Sequence, residues 1–279
     1  MSKNPDWSII FVNFNSTDAL SEALRSLSEN EPLLATAEII IADNASDKPE
    51  QQRLNKIITQ YNKKITINSI FLERNYGFGA ANNAAAARAR GQFLLFLNPD
   101  IIYTQALLSS LAKMLATANV GLVAPLLRLR SGQPQPEACG RFPTLRTVLG
   151  RKLARARTSA FAADQLEPQR VDWVCGAAFA IRADVWRRLG GFDERYFMYF
   201  EDVDLSRRSV AAGLTNYVLP AVSLIHLGGE RRQVQSWRRR YYFASQAIYF
   251  RYWHGRLAAM LLRLLRLPYQ WYCHWHDPA

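Results

Sequence analysis

The sequence predicts an α/β fold: a doubly wound, mostly parallel, Rossmann-like sheet followed by a helical tail at the C-terminus. Three observations carry this. Short apolar runs with little alternation, at 7–14, 37–42 and 92–97, read as strands buried on both faces, as parallel sheets require. Segments with helical spacing lie between them, so each strand returns to the sheet through a crossover. The strand ends are polar, at Asn13 and Asn15, Asp43 and Asn44, Arg74 and Asn75, and Asp100. Sheets of this kind bind ligands beyond the carboxyl ends of their strands.

Taken in order, residues 7–14 (WSIIFVNF) form the first strand. The cluster Asn15-Ser16-Thr17-Asp18 caps a helix over 19–27. Residues 37–42 (AEIIIA) are the second strand, stopped by Asp43-Asn44-Ala45-Ser46-Asp47, and 49–61 is a polar helix. Residues 65–72 are the third strand, 77–90 an alanine-rich helix, and 92–97 (QFLLFL) the fourth strand, ended by Asn98-Pro99-Asp100. A helix over 105–118 and a short strand at 120–125 follow. Residues 128–170 are rich in Arg, Pro and Ser with weak periodicity, and a stretch of that length inside a domain is commonly functional or disordered. One strand is expected over 171–181, a short helix over 184–189 closed by Gly190-Gly191, a helix over 202–212 ended by Gly213, and a strand at 215–219. After His226-Leu227-Gly228-Gly229 a basic, aromatic helical tail begins, so a domain over 1–229 and a tail over 230–279 are expected.

The chain has 279 residues, enough for a large core without staples. Its three cysteines, Cys139, Cys175 and Cys273, have neither paired zinc spacing nor the look of a disulfide framework, so a reducing cytoplasm is the expectation. No signal-like segment opens the sequence, and the most apolar late stretch, 257–267, is interrupted by Arg263 and Arg266, which speaks against a spanning helix. The net charge of +12 is unevenly placed. Residues 1–127 balance 11 basic against 11 acidic residues, 128–170 carry 9 against 3, and 229–279 carry 9 against 2. Basic patches suit nucleic acid, an anionic membrane or a phosphorylated ligand. The neutral first part and the acidic 193–204 stretch argue against a nucleic-acid binder. A nucleotidyltransferase would place a glycine-rich basic loop after the first strand, where Asn13-Phe14-Asn15-Ser16 stands instead.

Several positions carry candidate chemistry. Asp43, at a strand end, can accept from a nucleobase or a ribose hydroxyl; the plain alternative is that it caps the next helix. Gly77 and Gly79 let backbone approach a ligand at a helix N-terminus, and Arg74 can pair with phosphate, although a simple β–α turn has the same composition. Asp100 can hold a hard cation, or merely form a turn. In 197–205 (FMYFEDVDL) four large apolar residues precede Glu201, Asp202 and Asp204. Helix-dipole capping accounts for the acids, but not for the wall before them, and a carboxylate beside such a wall is a candidate general base. His226 can ligate a metal, or be structural.

Together these strings resemble a family 2 glycosyltransferase of GT-A fold, in the rhamnosyltransferase-like branch. The resemblance rests on SIIFVNFN from Ser8, DNASD from Asp43, NYGFGAANN from Asn75, LFLNPD from Leu95, GGFDERYF from Gly190, EDVDL from Glu201, and His226, all in the family's order over roughly 7–229. It implies that Asn13, Asn15, Asp43, Asn44, Arg74, Asn75, Gly77, Asn82 and Asn98 form the pocket of a nucleoside-diphosphate sugar. It implies a divalent cation, Mg2+ or Mn2+, held by Asp100 and His226, with neutral Asn98 in place of the first acid of the family's Asp-x-Asp motif. It makes Asp202 the catalytic base of an inverting transfer, with Glu201, Trp173 and Gly176 at the acceptor. The implied donor is dTDP-rhamnose ahead of a UDP sugar, and the implied acceptor is a lipid-linked or surface-polysaccharide glycan. The tail, with Arg231, Arg232, Arg238, Arg239 and Arg240 before Tyr241, Tyr242, Phe243, Tyr249, Phe250, Tyr252 and Trp253, suits the anionic inner face of a plasma membrane, with packing on the catalytic domain as the alternative. An oligomer and an inactive homologue acting as a scaffold both stay open.

Overall fold

The computed structural model describes residues 5–62, 65–148, 165–230 and 236–276. Strands β1 (Trp7–Asn13), β2 (Ala37–Asp43), β3 (Thr66–Phe71) and β4 (Phe93–Leu97) pair in parallel in the order β3-β2-β1-β4. Chain order reverses between β1 and β4, and this switch point is where such sheets open a crevice. Beyond β4 the sheet continues with β10 (Ala178–Arg182), β6 (Val120–Arg128), β11 (Thr215–His226) and β5 (Ile101–Tyr103), while β8 (Gln169–Val171) also pairs with β11. Strand β10 is antiparallel to both neighbours, and β5 and β8 are antiparallel to β11.

Side-chain alternation splits each central strand between two cores. Ile9, Phe11, Ile39, Ile41 and Leu95 face the first core with Leu20 and Leu24 of α1 (Thr17–Asn30), Leu54 of α2 (Lys48–Tyr61) and Leu111 of α4 (Leu108–Leu115). Ile10, Ile40, Leu94 and Phe96 face the second core with Ala81 and Ala85 of α3 (Phe78–Ala86), Val185 and Trp186 of α5 (Ala183–Leu189) and Leu205 of α6 (Glu201–Ala211). The apolar runs are apolar because both sides of each strand are covered.

The strand expected over 171–181 is corrected. It is broken into β8, β9 (Trp173–Val174) and β10, because residues 175–177 leave the ladder and β9 pairs instead with β7 (Cys139–Gly140). Strand β11 runs past the expected end at Leu219; its register shifts between Leu219 and Ser223 absorb Pro220 as an irregularity. The expected basic excursion over 128–170 contains a turn bridged by Arg128 and Pro134, then β7; residues 149–164 lie outside the described part.

The tail is also more structured than expected. Helix α7 (Ser236–His276) breaks at Gly255, whose φ of 85° and ψ of 170° are non-helical. Arg266 reaches back to the Phe243 carbonyl and to Gln246, so the two arms, 236–254 and 256–276, fold on each other as a hairpin. Tyr249, Phe250 and Leu262 are buried with Tyr196, Phe200 and Val203 in a third core. The expectation that these aromatic rings face lipid is therefore corrected for Tyr249 and Phe250: they dock the tail on α6. Among the described residues no helix is long and apolar enough to cross a membrane.

Candidate active site

The crevice floor is built from the ends of β1 and β2. Asp43 is fully buried, and its carboxylate accepts from Asn13 Nδ2 at 2.9 Å, Ser46 N at 2.9 Å and Gln51 Nε2 at 3.2 Å. Asn15, with φ of 48°, exchanges hydrogen bonds with Asp47. Asn44 braces the next loop: its Nδ2 donates to Asn75 Oδ1 at 2.9 Å and to the Gly77 carbonyl, and its Oδ1 accepts from Tyr76 N. Asn75 Oδ1 also accepts from Gly77 N. Much of the expected donor pocket thus shapes backbone at the crevice. Arg74 is exposed beside it, with its guanidinium 4.8 Å from the Tyr76 ring centroid. Asn82 is buried and turned inward, donating to the Phe78 carbonyl one turn earlier.

The N-termini of α3 and α6 meet across this crevice. Gly77 has φ of 90°, and a Cβ there would lie 2.3 Å from the Phe197 carbonyl oxygen, so only glycine fits. Phe78 N donates to that same carbonyl at 2.8 Å. Tyr199 and Phe200, which lead into α6, both have positive φ, 70° and 68°. Left-handed backbone in bulky residues costs about 1–3 kcal/mol each and persists only where packing enforces it. Here the enforcing contacts come from the tail, through Tyr242 against both rings and Tyr249 against Phe200.

That turn leads into two adjacent carboxyls at the start of α6. Glu201 is 5% exposed and its Oε2 has no hydrogen-bond partner. Asp202 is partly exposed; its Oδ2 accepts from Gly176 N at 2.8 Å and its Oδ1 from Val203 N at 2.8 Å. Burial raises Glu201 well above the ordinary carboxyl range, and the neighbouring Asp202 charge raises it further. Burial also raises Asp202, opposed by the backbone donors at Gly176 and Val203. Asp204, on the opposite side of α6, is buried and binds Arg208 at 2.8 Å and Trp253 Nε1 at 2.7 Å. It is a structural anchor between α6 and the tail. The break in the 171–181 strand has its use here, since it turns the Gly176 amide toward Asp202. A Cβ on Gly176 would lie 3.2 Å from the Phe78 ring and 3.4 Å from Asp202 Cβ. Trp173 donates from its indole to the Arg141 carbonyl and packs toward the third core.

The second chemical cluster lies at the end of β4. Asn98 N donates to the Ala177 carbonyl at 2.8 Å, which ties this turn to the Gly176 loop. Strands β5 and β11 then bring Asp100 beside His226, with Oδ1 3.3 Å from Nε2. Gln135 Oε1 lies 2.8 Å from His226 Nδ1; an amide oxygen accepts, so this assignment puts the proton on Nδ1. The Nε2 lone pair then faces a carboxylate oxygen, an arrangement that suits a cation between them. Gly228 supplies clearance, since a Cβ there would sit 2.5 Å from Asp100 Oδ2, and a Cβ on Gly229 would strike Gln135. The donor set suits a divalent cation, and two protein ligands leave coordination positions to a diphosphate. Among the described residues no group of three or more His, Cys, Asp or Glu gathers to hold a metal alone.

A continuous path of contacts therefore links the expected residues: Asn13 to Asp43, Asn44 to Asn75 and Gly77, Gly77 to the loop before Asp202, Asp202 to Gly176, and Ala177 to Asn98. One contributor went unforeseen: Gln135 sits in a stretch without periodic signal. Asn83, the last residue of the Asn75–Asn83 string expected at the donor pocket, grips Phe192 N, Phe192 O and Glu194 from α3.

Comparisons with known proteins agree with this fold. The sequence model described as Glycosyl transferase family 2 matches residues 8–190. N-acetylglucosaminyl-diphospho-decaprenol L-rhamnosyltransferase of Mycobacterium tuberculosis is 28% identical over 241 residues, covering 78% of this chain and 75% of that protein. Rhamnosyltransferase WbbL of Escherichia coli K12 is 30% identical over 164 residues, covering 54% of this chain and 61% of that protein. Among solved structures, GalNAc-T7 with UDP, GalNAc and Mn2+ superposes with a TM-score of 0.65 at 18% identity, over 89% of this chain and 48% of that one. Mannosyltransferase PcManGT of Pyrobaculum calidifontis, with GDP-Man and Mn2+, gives 0.64 at 18%, over 90% and 65%. This chain spans about half the length of the first of these structures, and at such identity the likeness establishes the GT-A fold. With the family match covering most of the α/β body around the crevice, the chain belongs to glycosyl transferase family 2, as a rhamnosyltransferase-like member.

Proposed function

We propose that the chain is an inverting glycosyltransferase that moves a sugar from a nucleoside diphosphate to a hydroxyl of a lipid-linked glycan at the inner membrane surface. The observation that supports this best is Asp202: a partly exposed carboxylate at a helix N-terminus, held by the Gly176 amide and flanked by the Gly77–Phe78 turn. In this reading the donor lies over the switch point, with the ends of β1 and β2 and the Asn75–Gly77 loop shaping its pocket. Asp202 accepts the proton of the acceptor hydroxyl. That oxygen forms a bond to the anomeric carbon on the face opposite the diphosphate, while the bond from that carbon to the phosphate oxygen breaks and its electrons leave with the diphosphate. Asp100 and His226 would hold a divalent cation, which when bound offsets charge on the departing diphosphate.

Burial raises Asp202 above the ordinary carboxylate range, which makes it a stronger base than a solvent-exposed carboxylate. Rhamnose is the sugar in the names of the M. tuberculosis and E. coli relatives, and the former names a diphospho-decaprenol acceptor, so dTDP-rhamnose and a lipid diphosphate sugar are the first pair to try. The test is to incubate the chain with dTDP-rhamnose or UDP sugars, Mg2+ or Mn2+, and a short-chain lipid diphosphate sugar. Mass spectrometry reads transfer, and NMR reads the anomeric configuration. A product with configuration opposite to the donor supports the reading; retention, or no transfer from any donor, overturns it.

A further inference from the structure

The second arm of the tail carries an apolar face that none of the three cores among the described residues covers. Leu257, Met260, Leu261 and Leu264 are 66%, 54%, 42% and 53% exposed. Their spacing of three, one and three places them on one side of a helix. The opposite side of the same arm is spent on the protein: Leu262 is 1% and Arg266 5% exposed, in contact with the first arm and the third core. Leucines on both sides of one helix mean that it packs inward on the domain and has a second apolar surface turned outward. Arg256 and Arg263, both exposed, lie together along one edge of that outer face.

We propose that this outer face is a membrane-docking surface for an anionic bilayer, with the leucines and Met260 in the headgroup–acyl boundary and Arg256 and Arg263 on lipid phosphates. This rests, for its purpose, on the lipid-borne acceptor proposed above, and it moves the lipid contact from the aromatic first arm, which is docked, to the second. Charge selects the occupant. Residues 229–279 carry 9 basic against 2 acidic side chains, so a second copy stacked on this face would bring two like-charged edges together, whereas an anionic surface complements them. The docked first arm holds the 197–200 loop through Phe197–Tyr241 stacking and the Ser245 bond to the Met198 carbonyl, so a bilayer bound to the hairpin would lie on the part of the molecule that leads into Asp202.

The test is flotation of the full chain with vesicles of phosphatidylcholine and phosphatidylglycerol, free of acceptor. The wild type should float with anionic vesicles at low salt. Leu257→Gln with Leu264→Gln, both exposed positions, should lower partitioning by about tenfold or more. Arg256→Gln with Arg263→Gln should weaken binding and flatten its salt dependence. A wild type that does not float, or a leucine pair variant that floats equally well, overturns the proposal. So does a dimer in light scattering that the leucine pair variant disperses, since the face would then join two copies. Transfer to a soluble acceptor without vesicle binding removes the docking surface alone; vesicle binding without transfer from any donor removes the functional reading alone.

Discussion

Two neighbouring carboxyls can have different uses when the rotation of a helix sends one inward and the other to a cleft. Glu201 is sealed in without a partner for Oε2, while Asp202 keeps two backbone donors and partial exposure. Glu201 is raised in the fold relative to its unfolded range near 4.3. A raised acid contributes stability fully below its unfolded pKa, and that contribution is lost as pH rises through its folded value. Glu201→Gln should therefore melt higher than wild type at about pH 8, by a few degrees, with the gap closing toward about pH 4. Melting curves across that range check it, and a gap independent of pH contradicts it. Gln135 bears on the other cluster. If it fixes the His226 tautomer, Gln135→Ala should weaken Mn2+ binding in the presence of a nucleoside diphosphate by about 10–100-fold, read by electron paramagnetic resonance of the free ion. Unchanged affinity would remove Gln135 from the site. Asp202 and Asp100 could be singled out in the sequence because a helix start and a strand end mark them, and His226 through the family resemblance, since the strand that carries it was expected to stop at Leu219. Gln135 could not, because it reaches His226 from a turn in the 128–170 stretch and its role exists only in three dimensions.

Among elements, glycine and strain decide where the two helix N-termini meet. Gly77 is irreplaceable on two counts, a φ of 90° and a carbonyl that a Cβ would touch at 2.3 Å. Gly77→Ala should cost at least about 1–3 kcal/mol in urea unfolding, since the backbone of Phe197 must move. A loss below that range would show that the turn yields more easily than the close contact implies. The parallel strands were readable because burial on both faces leaves unbroken apolar runs. The interruption at 175–177 was not, because Val174, Ala177, Ala178 and Phe179 are all buried and apolar, and the partner that Gly176 N takes off the ladder, Asp202, lies 26 residues away in the chain. The β11 extension was missed for the reverse reason: Pro220 looks like a stop, yet a register shift carries the strand past it to deliver His226 beside Asp100.

At the scale of the molecule, a sheet, the helix layer on its second face and the tail hairpin converge on one short segment. The second core holds α3 and α6, the third core holds the positive-φ turn before Glu201, and Asp204 ties α6 to Trp253 in the tail. The tail's helicity and basic charge were legible, but its reversal at Gly255 was not, because a single glycine in an arginine- and aromatic-rich helix reads as tolerated. Burial of Tyr249 and Phe250 links tail packing to the candidate site through Phe200, so the tail braces the segment that leads into α6. In the mechanism proposed above, this architecture holds the Asp202 carboxylate where the acceptor hydroxyl would arrive. The most direct measurement is a paired one on Asp202→Asn: turnover with the active donor and acceptor, and donor affinity by calorimetry. Turnover lower by about 10²–10⁴-fold with donor affinity unchanged is the expected result. Turnover near the wild-type rate would show that another group takes the proton.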